Sequence, residues 1–242
     1  MITTQQENLN AALSAVTRAS QKSSLAALAL VRIDCDTDGL LQLSCFNGET
    51  AARAITPASC DEQIAVCVDA LTLKAVVETL ASEIQLFAED SSLVIQSSTN
   101  RTTLRIVNED LPIIGNENIQ IIAPVPGTVL RSLARTLPFA STDSARHTLQ
   151  VLHLVFTRNA LTAQTADGYS AGHAVENIEG PDQQASVSLP LSFAKLLSSL
   201  VEDQDTVRIG TSGENRYIFQ ITNDRDSKDL TLATVTSAEN FP

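Results

Sequence analysis

The sequence predicts an α+β protein made of two repeated units, each with antiparallel sheets carrying helices on one face. Three observations predict it. Residues 68–79 (VDALTLKAVVET) and 189–200 (LPLSFAKLLSSL) each run from a short apolar strand end into a helix, and each puts one lysine, Lys74 or Lys195, at the same point, half a chain length apart. Short alternating apolar segments bounded by Gly, Asn, Asp and Ser fill both halves, which is the patterning of strands and hairpins. A chain of 242 residues is also more than one core usually organises, and the repeat divides it into residues 1–120 and 121–242.

The elements follow in order. Leu9, Ala12, Leu13 and Val16 recur at helical spacing and predict a helix over 7–19. Residues 25–33 (LAALALVRI) read as a strand closed by the turn chemistry of 36–39 (DTDG). Residues 41–45 alternate, Asn47-Gly48 is a hairpin dipeptide, and 50–55 form the partner strand. A strand at 63–68 leads into the first lysine helix, with Ala70, Leu73, Val76, Val77 and Leu80 as its apolar stripe. Residues 83–88, 92–97 and 102–107 form a three-stranded meander, and 112–126 read as a linker with one extended segment at 119–123.

The second half repeats this order. A helix is predicted over 127–137 with Val129, Leu130, Leu133 and Leu137 on one side, then strands at 149–157 and 160–164, a turn at 166–169 (ADGY), and strands at 170–175 and 185–189. The second lysine helix has Phe193, Leu196, Leu197 and Leu200 as its stripe, and strands at 206–210, 217–222 and 230–236 close the unit. Glu109-Asp110-Leu111-Pro112 ends the first half and Glu239-Asn240-Phe241-Pro242 the second.

Composition narrows the function. Hydrophobic residues make up 43% and charged residues 18% of the chain, a globular balance, and no apolar run approaches the roughly 18 residues of a membrane span. The N-terminal residues lack a basic region before an apolar core, so no secretory signal and a cytoplasmic location are expected. Cys35, Cys45, Cys60 and Cys67 lack C-x-x-C spacing and sit in or near apolar segments, which predicts buried free thiols in a reducing compartment. A net charge of −12 excludes a protein that coats nucleic acid with its whole surface, so basic groups would have to be segregated from acidic ones.

No catalytic constellation is present, and neither an enzyme nor a cofactor or metal is expected. His147, His153 and His173 share no ligand spacing, and the phosphate-loop, dinucleotide and nucleophile-elbow motifs are missing. Glu202, Asp203 and Asp205 could in principle hold a divalent ion, but read better as a solvated loop. Each predicted helix instead carries basic residues off its stripe: Arg18 and Lys22 on or just after the first, Lys74 on the second, Arg131 and Arg135 on the third, Lys195 on the fourth. Arg131 and Arg135, at i and i+4, repel each other by a few tenths of a kcal/mol, a cost that a facing polyanion would offset.

The order of these features resembles the sliding clamp of bacterial replication, the beta subunit of DNA polymerase III. The resemblance runs through the first helix with Leu9, Leu13 and Val16, LAALALVRI, the strand around Asn47 to Ile55, VDALTLKAVVETL and Leu111-Pro112. It continues in TADGYSAG (Thr165 to Gly172), similar to the family's T-D-G-x-x-x-A, and SAENFP, similar to its closing D-x-x-F-P. It implies two clamp domains whose helices line a hole around double-stranded DNA, with Arg18, Lys22, Lys74, Arg131, Arg135 and Lys195 touching phosphates without base readout, and with a DNA polymerase and a clamp loader as partners. Family subunits have three such domains and close as dimers, whereas this chain has two, so a ring of six domains implies a homotrimer. Its contact is expected to join an edge in 93–107 to one in 217–236. The family's peptide cleft maps onto Ala166, Gly168, Tyr169 and Ala171, without the half that a third domain supplies. The competing reading is a clamp-fold scaffold or regulator that binds proteins and never encircles DNA, favoured by six basic side chains against 28 acidic residues.

Overall fold

The computed structural model describes residues 1–20, 26–36, 39–109, 111, 118–213, 215–223 and 228–235. Lys22, part of the turn at 36–39, residues 112–117 and the closing residues 236–242 lie outside the described residues. Two compact units are present, Met1–Asn116 with Arg225–Thr231, and Glu117–Asp224 with Leu232–Pro242.

Unit 1 contains β1 (Ile2–Gln5), α1 (Gln6–Val16), β2 (Leu30–Cys35), β3 (Leu40–Phe46), β4 (Thr50–Pro57), β5 (Ser59–Cys60), β6 (Ile64–Asp69), α2 (Ala70–Glu78), β7 (Glu83–Glu89), β8 (Ser92–Gln96) and β9 (Arg101–Arg105). One sheet has the order β5-β1-β7-β8-β9; in the other, β4, β3, β2 and β6 lie side by side. All pairings are antiparallel, as when Leu86 faces both Ile2 and Ile95. Asn47 sets the β3–β4 turn, its Oδ1 accepting from the Glu49 and Thr50 N–H groups at 3.1 and 2.8 Å, while Gly48 takes φ +97°, which favours glycine. Asp69 caps α2 by accepting from Thr72 N–H at 2.8 Å.

The helical stripes are what the two sheets of this unit bury. Leu9, Leu13, Val16, Leu73 and Val77 are fully buried, together with Leu41, Leu43, Ile84 and Leu86. α1 lies beside α2 and against β3 and β4, and Gln6 Nε2 donates to Val77 O at 3.1 Å.

Unit 2 repeats the order: β10 (Gln120–Pro126), α3 (Gly127–Leu133), β11 (Val151–Phe156), β12 (Ala160–Ala166), β13 (Ala171–Asn177), β14 (Ala185–Pro190), α4 (Leu191–Leu200), β15 (Thr206–Thr211), β16 (Arg216–Asn223) and, from Leu232 on, β17 (Lys228–Val235). One sheet is β13-β12-β11-β14, and β10, β15, β16 and β17 lie side by side in the other. Phe193 of α4 packs on Phe219 of β16, ring centres 5.1 Å apart and planes tilted by 54°.

Several sequence-based expectations change. The extended segment expected at 119–123 is present as the start of β10, but it runs on to Pro126 and pairs with β15 instead of lying within a linker. Residues 26–29 form a 3-10 turn, so β2 starts only at Leu30. α3 stops at Leu133 and a 3-10 helix takes over Ala134–Phe139, ending at Pro138 and Phe139, because proline has no N–H to continue the ladder. β1 escaped notice because four residues are too few to show alternation. Of the free edge expected in 217–236, β16 is not one, since it lies between β15 and β17, while β13 and β14 end the other sheet of this unit.

The cysteine expectation fails for two of the four. Cys35, at the end of β2, is disulfide-bonded to Cys60 in β5, with Cα atoms 6.5 Å apart, which ties the two sheets of unit 1 together. Spacing alone could not show this, because the partners meet only once two separate strands are placed. Cys45 and Cys67 are buried free thiols; burial first, and Cys67 second, push the Cys45 thiol up to about 12, so it stays protonated.

The disulfide makes a direct prediction. Thiol titration in denaturant without reductant should find two thiols per chain, and four would contradict the bond. Cys60→Ser should lower stability by about 3 kcal/mol in chemical denaturation under oxidising conditions, the loss expected on opening a loop of about 25 residues.

Candidate nucleic-acid interface

Because the stripes at steps of three and four face the sheets, the remaining helix faces are turned outward by geometry. Apart from Leu71 on α2, those faces are polar and small: Asn8 and Ala11 on α1, Thr72 and Ala75 on α2, Thr128 on α3, Ser192 and Ser199 on α4 are all exposed. The predicted cations are among them. Arg18 is exposed in the 3-10 turn Thr17–Ala19 that extends α1, Arg131 and Lys195 are exposed on α3 and α4, and Arg135 is exposed in the 3-10 helix after α3. Lys74 is half-buried. The four helices and their 3-10 extensions carry Arg18, Lys74, Arg131, Arg135 and Lys195 against only Glu7 and Glu78, an excess of base in a chain whose net charge is −12.

Lys74 and Arg131 form ion pairs within the chain. Lys74 Nζ lies 3.7 Å from Glu78 Oε1 one turn on, and Arg131 Nε lies 3.1 Å from Asp203 Oδ1. Arg135 stands outside α3 proper, so the like-charge repulsion expected at i, i+4 gives way to attraction between Arg131 and an acid on a different loop. Such exposed pairs are worth about 0–1 kcal/mol, small enough for a phosphate to displace.

The loop that supplies Asp203 is built, not merely solvated. Asp205 is buried; its Oδ2 accepts from Glu202 N–H at 2.8 Å and its Oδ1 from Asn223 Nδ2 at 3.4 Å. Gly127, the first residue of α3, donates its N–H to Asp205 O at 2.7 Å, and a Cβ there would fall on the Glu202 carbonyl oxygen. With Asp203 on Arg131 and Asp205 turned into the loop, the three carboxylates do not converge on a cation site. Among the described residues no group of three His, Cys, Asp or Glu is placed to hold a metal.

The residues implied as a partner cleft come together at the tip of the β12–β13 hairpin. Asp167 organises it: Oδ1 accepts from Tyr169 and Ser170 N–H at 2.7 and 2.6 Å, Oδ2 accepts from the Ser170 hydroxyl at 2.9 Å, and Gly168 takes φ +92°. These donors, Ser170 N–H first, hold the Asp167 carboxyl below its ordinary range. Ala166 is half-buried, whereas Gly168, Tyr169 and Ala171 are exposed, Tyr169 to 89%.

Sequence reasoning missed two residues here. Arg146 donates from Nη1 to Asp167 O at 2.6 Å and its guanidinium stands 5.2 Å from the Tyr169 ring centre. Its proximity to Tyr169 is the first cause of its raised pKa. Phe139, 42% exposed, sits where a Cβ on Gly172 would meet it at 2.9 Å. The hairpin is thus pinned to the 3-10 helix, with Thr165 Oγ1 donating to Thr136 O at 2.6 Å, and it presents one aromatic ring, one phenyl edge and one fixed cation.

The architecture is that of the DNA polymerase sliding clamps. The DNA polymerase III subunit beta of Pseudomonas aeruginosa superimposes with a TM-score of 0.89 at 20% identity over 100% of this chain and 66% of its own. The sliding clamp of Bacillus subtilis gives 0.88 at 17% over 100% and 65%, and the beta subunit of Thermotoga maritima 0.85 at 20% over 100% and 65%. The chain therefore spans about 65% of the length of these clamps and shares their fold at identities too low to carry residue roles across. No family model and no curated protein matches the sequence. Among the described residues no helix is long and apolar enough to cross a membrane.

Substitution of Gly127 tests the built loop beneath α3. Gly127→Ala should cost about 1–3 kcal/mol in denaturant unfolding, because the helix must move off the Glu202 carbonyl. An unchanged midpoint would mean that the loop is not packed against the helix start as described.

Proposed function

We propose that this protein is a DNA sliding clamp, a processivity factor for DNA replication. In this reading the outward helix faces meet the phosphates of an encircled duplex, and copies of the chain, three in number, complete the ring. The observation that carries the reading is the segregation of charge: the helices hold Arg18, Lys74, Arg131, Arg135 and Lys195 with two acids, in a chain of net charge −12. Loose contact from few cations suits sliding, since each phosphate contact is weak and none reads a base. The acidic remainder repels DNA from other surfaces. A DNA polymerase and a clamp loader are the protein partners this role requires, with the hairpin at Ala166, Gly168, Tyr169 and Ala171 as a docking point.

One observation favours the second reading, a clamp-fold scaffold that binds proteins without encircling DNA. Glu78 and Asp203 each hold a helix cation. The two readings separate by mutation. Reversal of Arg18, Lys22, Lys74, Arg131, Arg135 and Lys195 to glutamate should abolish retention on circular duplex DNA while circular dichroism stays native; unchanged retention would contradict the clamp.

Glu78→Gln with Asp203→Asn frees two cations and should tighten binding to duplex DNA. The salt dependence of log K should steepen by about 0.9 for each freed cation that takes up a phosphate. A scaffold predicts no change in either quantity.

A further inference from the structure

The Cys35–Cys60 bridge of unit 1 is buried unequally at its two ends. Cys35, in β2, is 2% exposed, whereas Cys60, in the two-residue β5, is only half-buried and is flanked by exposed Ser59 and Asp61. An attacking thiolate therefore reaches the Cys60 sulfur first, and the Cys35 sulfur is the group that leaves. Cys35 also borders a cavity of about 160 Å³ that it shares with Asp34, Asp36, Gln42 and Gln63. Through this cavity solvent can protonate Cys35 as the bridge opens, and Asp36 O, 3.8 Å from Cys35 Sγ, is placed to accept from the resulting thiol.

Acids stand on both sides of the bond. Asp34 and Asp36 line the cavity, and Asp61 and Glu62 follow Cys60 in the chain. Two cations lie among them. Arg32 Nε donates to both carboxylate oxygens of Asp34, at 3.0 and 2.8 Å, and the Met1 amine lies 3.9 Å from Asp61 and 3.6 Å from Glu62. These four carboxylates outnumber the two cations, so the approach to the sulfur is acidic, and an incoming thiolate is itself an anion. The repulsion is least for a thiol that carries a positive charge close to its sulfur and greatest for one that carries a second negative charge. Cys45 and Cys67 offer no such site, since both are buried and the Cys45 thiol stays protonated.

β5 is lightly held apart from the bridge. It pairs with β1 through Cys60 opposite Ile2 and Ser59 opposite Thr3, and Asp61 N–H donates to Met1 O at 3.1 Å. The ion pairs of the Met1 amine are exposed and therefore weak. Opening the bridge removes the cross-link to β2 and leaves residues 58–63 on this short ladder.

We propose that Cys60 is a thiol-exchange site, selective for small aminothiols over anionic thiols, and that exchange there unlatches β5 from β2. In the first step the aminothiol's thiolate bonds to Cys60 Sγ, the bond between the two cysteine sulfurs breaks, its electron pair leaves on Cys35 Sγ, and a proton from solvent completes the Cys35 thiol. A second aminothiol thiolate then attacks the first aminothiol's sulfur in the mixed disulfide. Cys60 is released as a thiol, the two aminothiols leave as their symmetric disulfide, and two electrons have passed to the bridge. Exchange at Cys60 is independent of the ring reading, since no DNA contact enters it.

Kinetics of native reduction test it. The oxidised protein is treated with cysteamine or with 2-mercaptoethanesulfonate at equal thiolate concentration, each rate is divided by that of the same thiol on a small neutral disulfide, and the products are quenched in acid, alkylated and mapped by mass spectrometry. At low salt cysteamine should open the bridge about tenfold faster, as expected for a difference of two charges opposite an acidic site, and the ratio should fall toward one at about 1 M salt, where screening acts over about 3 Å. The transient adduct should sit on Cys60, and the opened protein should be cut after Glu62 by a glutamate-specific protease several-fold faster than the bridged protein. Asp61→Asn with Glu62→Gln should shrink the low-salt ratio while circular dichroism stays native. Equal normalised rates at low salt, a ratio unmoved by these two substitutions, an adduct on Cys35 or unaltered cleavage at Glu62 would each overturn the proposal. Alkylation of Cys45 and Cys67 in step with the bridge would overturn it too, because exchange would then be waiting for global unfolding.

Discussion

Burial of four helix stripes against antiparallel sheets is the interaction on which the rest of the structure depends. Leu9, Leu13, Val16, Leu73, Val77 and Phe193 are wholly buried, and Leu130, Leu133 and Leu197 nearly so. Each such side chain contributes about 1.5–3 kcal/mol on transfer from water. A helix whose stripe is fixed in this way has no freedom left about its axis, so the positions between the stripes point outward whether or not they have a task. Lys195 is exposed because Phe193, Ala194 and Leu197 are not. The cationic helix face is therefore a consequence of how the core is packed, and the sequence has only to choose which polar residues to put there.

That choice is small residues with few acids. Exposed Thr72, Ala75, Ser192 and Ser199 add no charge, while acids gather in loops and strand ends, as at Asp61, Glu62 and Asp203. Screening at physiological salt acts over about 8 Å, so a duplex close to the helices would feel these five cations more than acids a sheet away. The hairpin at Asp167 is a different kind of surface. Its turn is held by three hydrogen bonds to one carboxylate, and Arg146 clamps it from outside, so Tyr169 is presented on a rigid base despite its exposure.

The repeat, the helix stripes and both lysine helices were legible because helical and strand periods are local properties of the chain. Asn47-Gly48 was legible for the same reason, since a two-residue turn needs only its own backbone. What failed was everything set by pairing at a distance. Cys35 and Cys60 look like any apolar cysteines until β2 and β5 are placed, and the extended segment at 119–123 shows no partner until β15 lies beside it. Arg146 gave no signal, because, apart from Asp143 three residues before it, its partners are a carbonyl and a ring about twenty residues on. The ion pair of Arg131 with Asp203 was hidden in the same way: spacing along α3 suggested repulsion from Arg135, and the fold supplied an acid from the loop before β15.

Site-specific photocrosslinking to a nicked circular duplex tests most directly whether the helix faces are where DNA is held. Benzophenone probes would replace Thr128 on α3 and Ser192 on α4, and Gln85 on β7 and Gln220 on β16, the latter two on the sheet faces away from the buried core. The account predicts crosslinks from the two helix positions and none from the two sheet positions, with the helix signal lost when the circle is linearised and its ends are left open. Crosslinks from the sheet positions alone, or equally from all four, would contradict it.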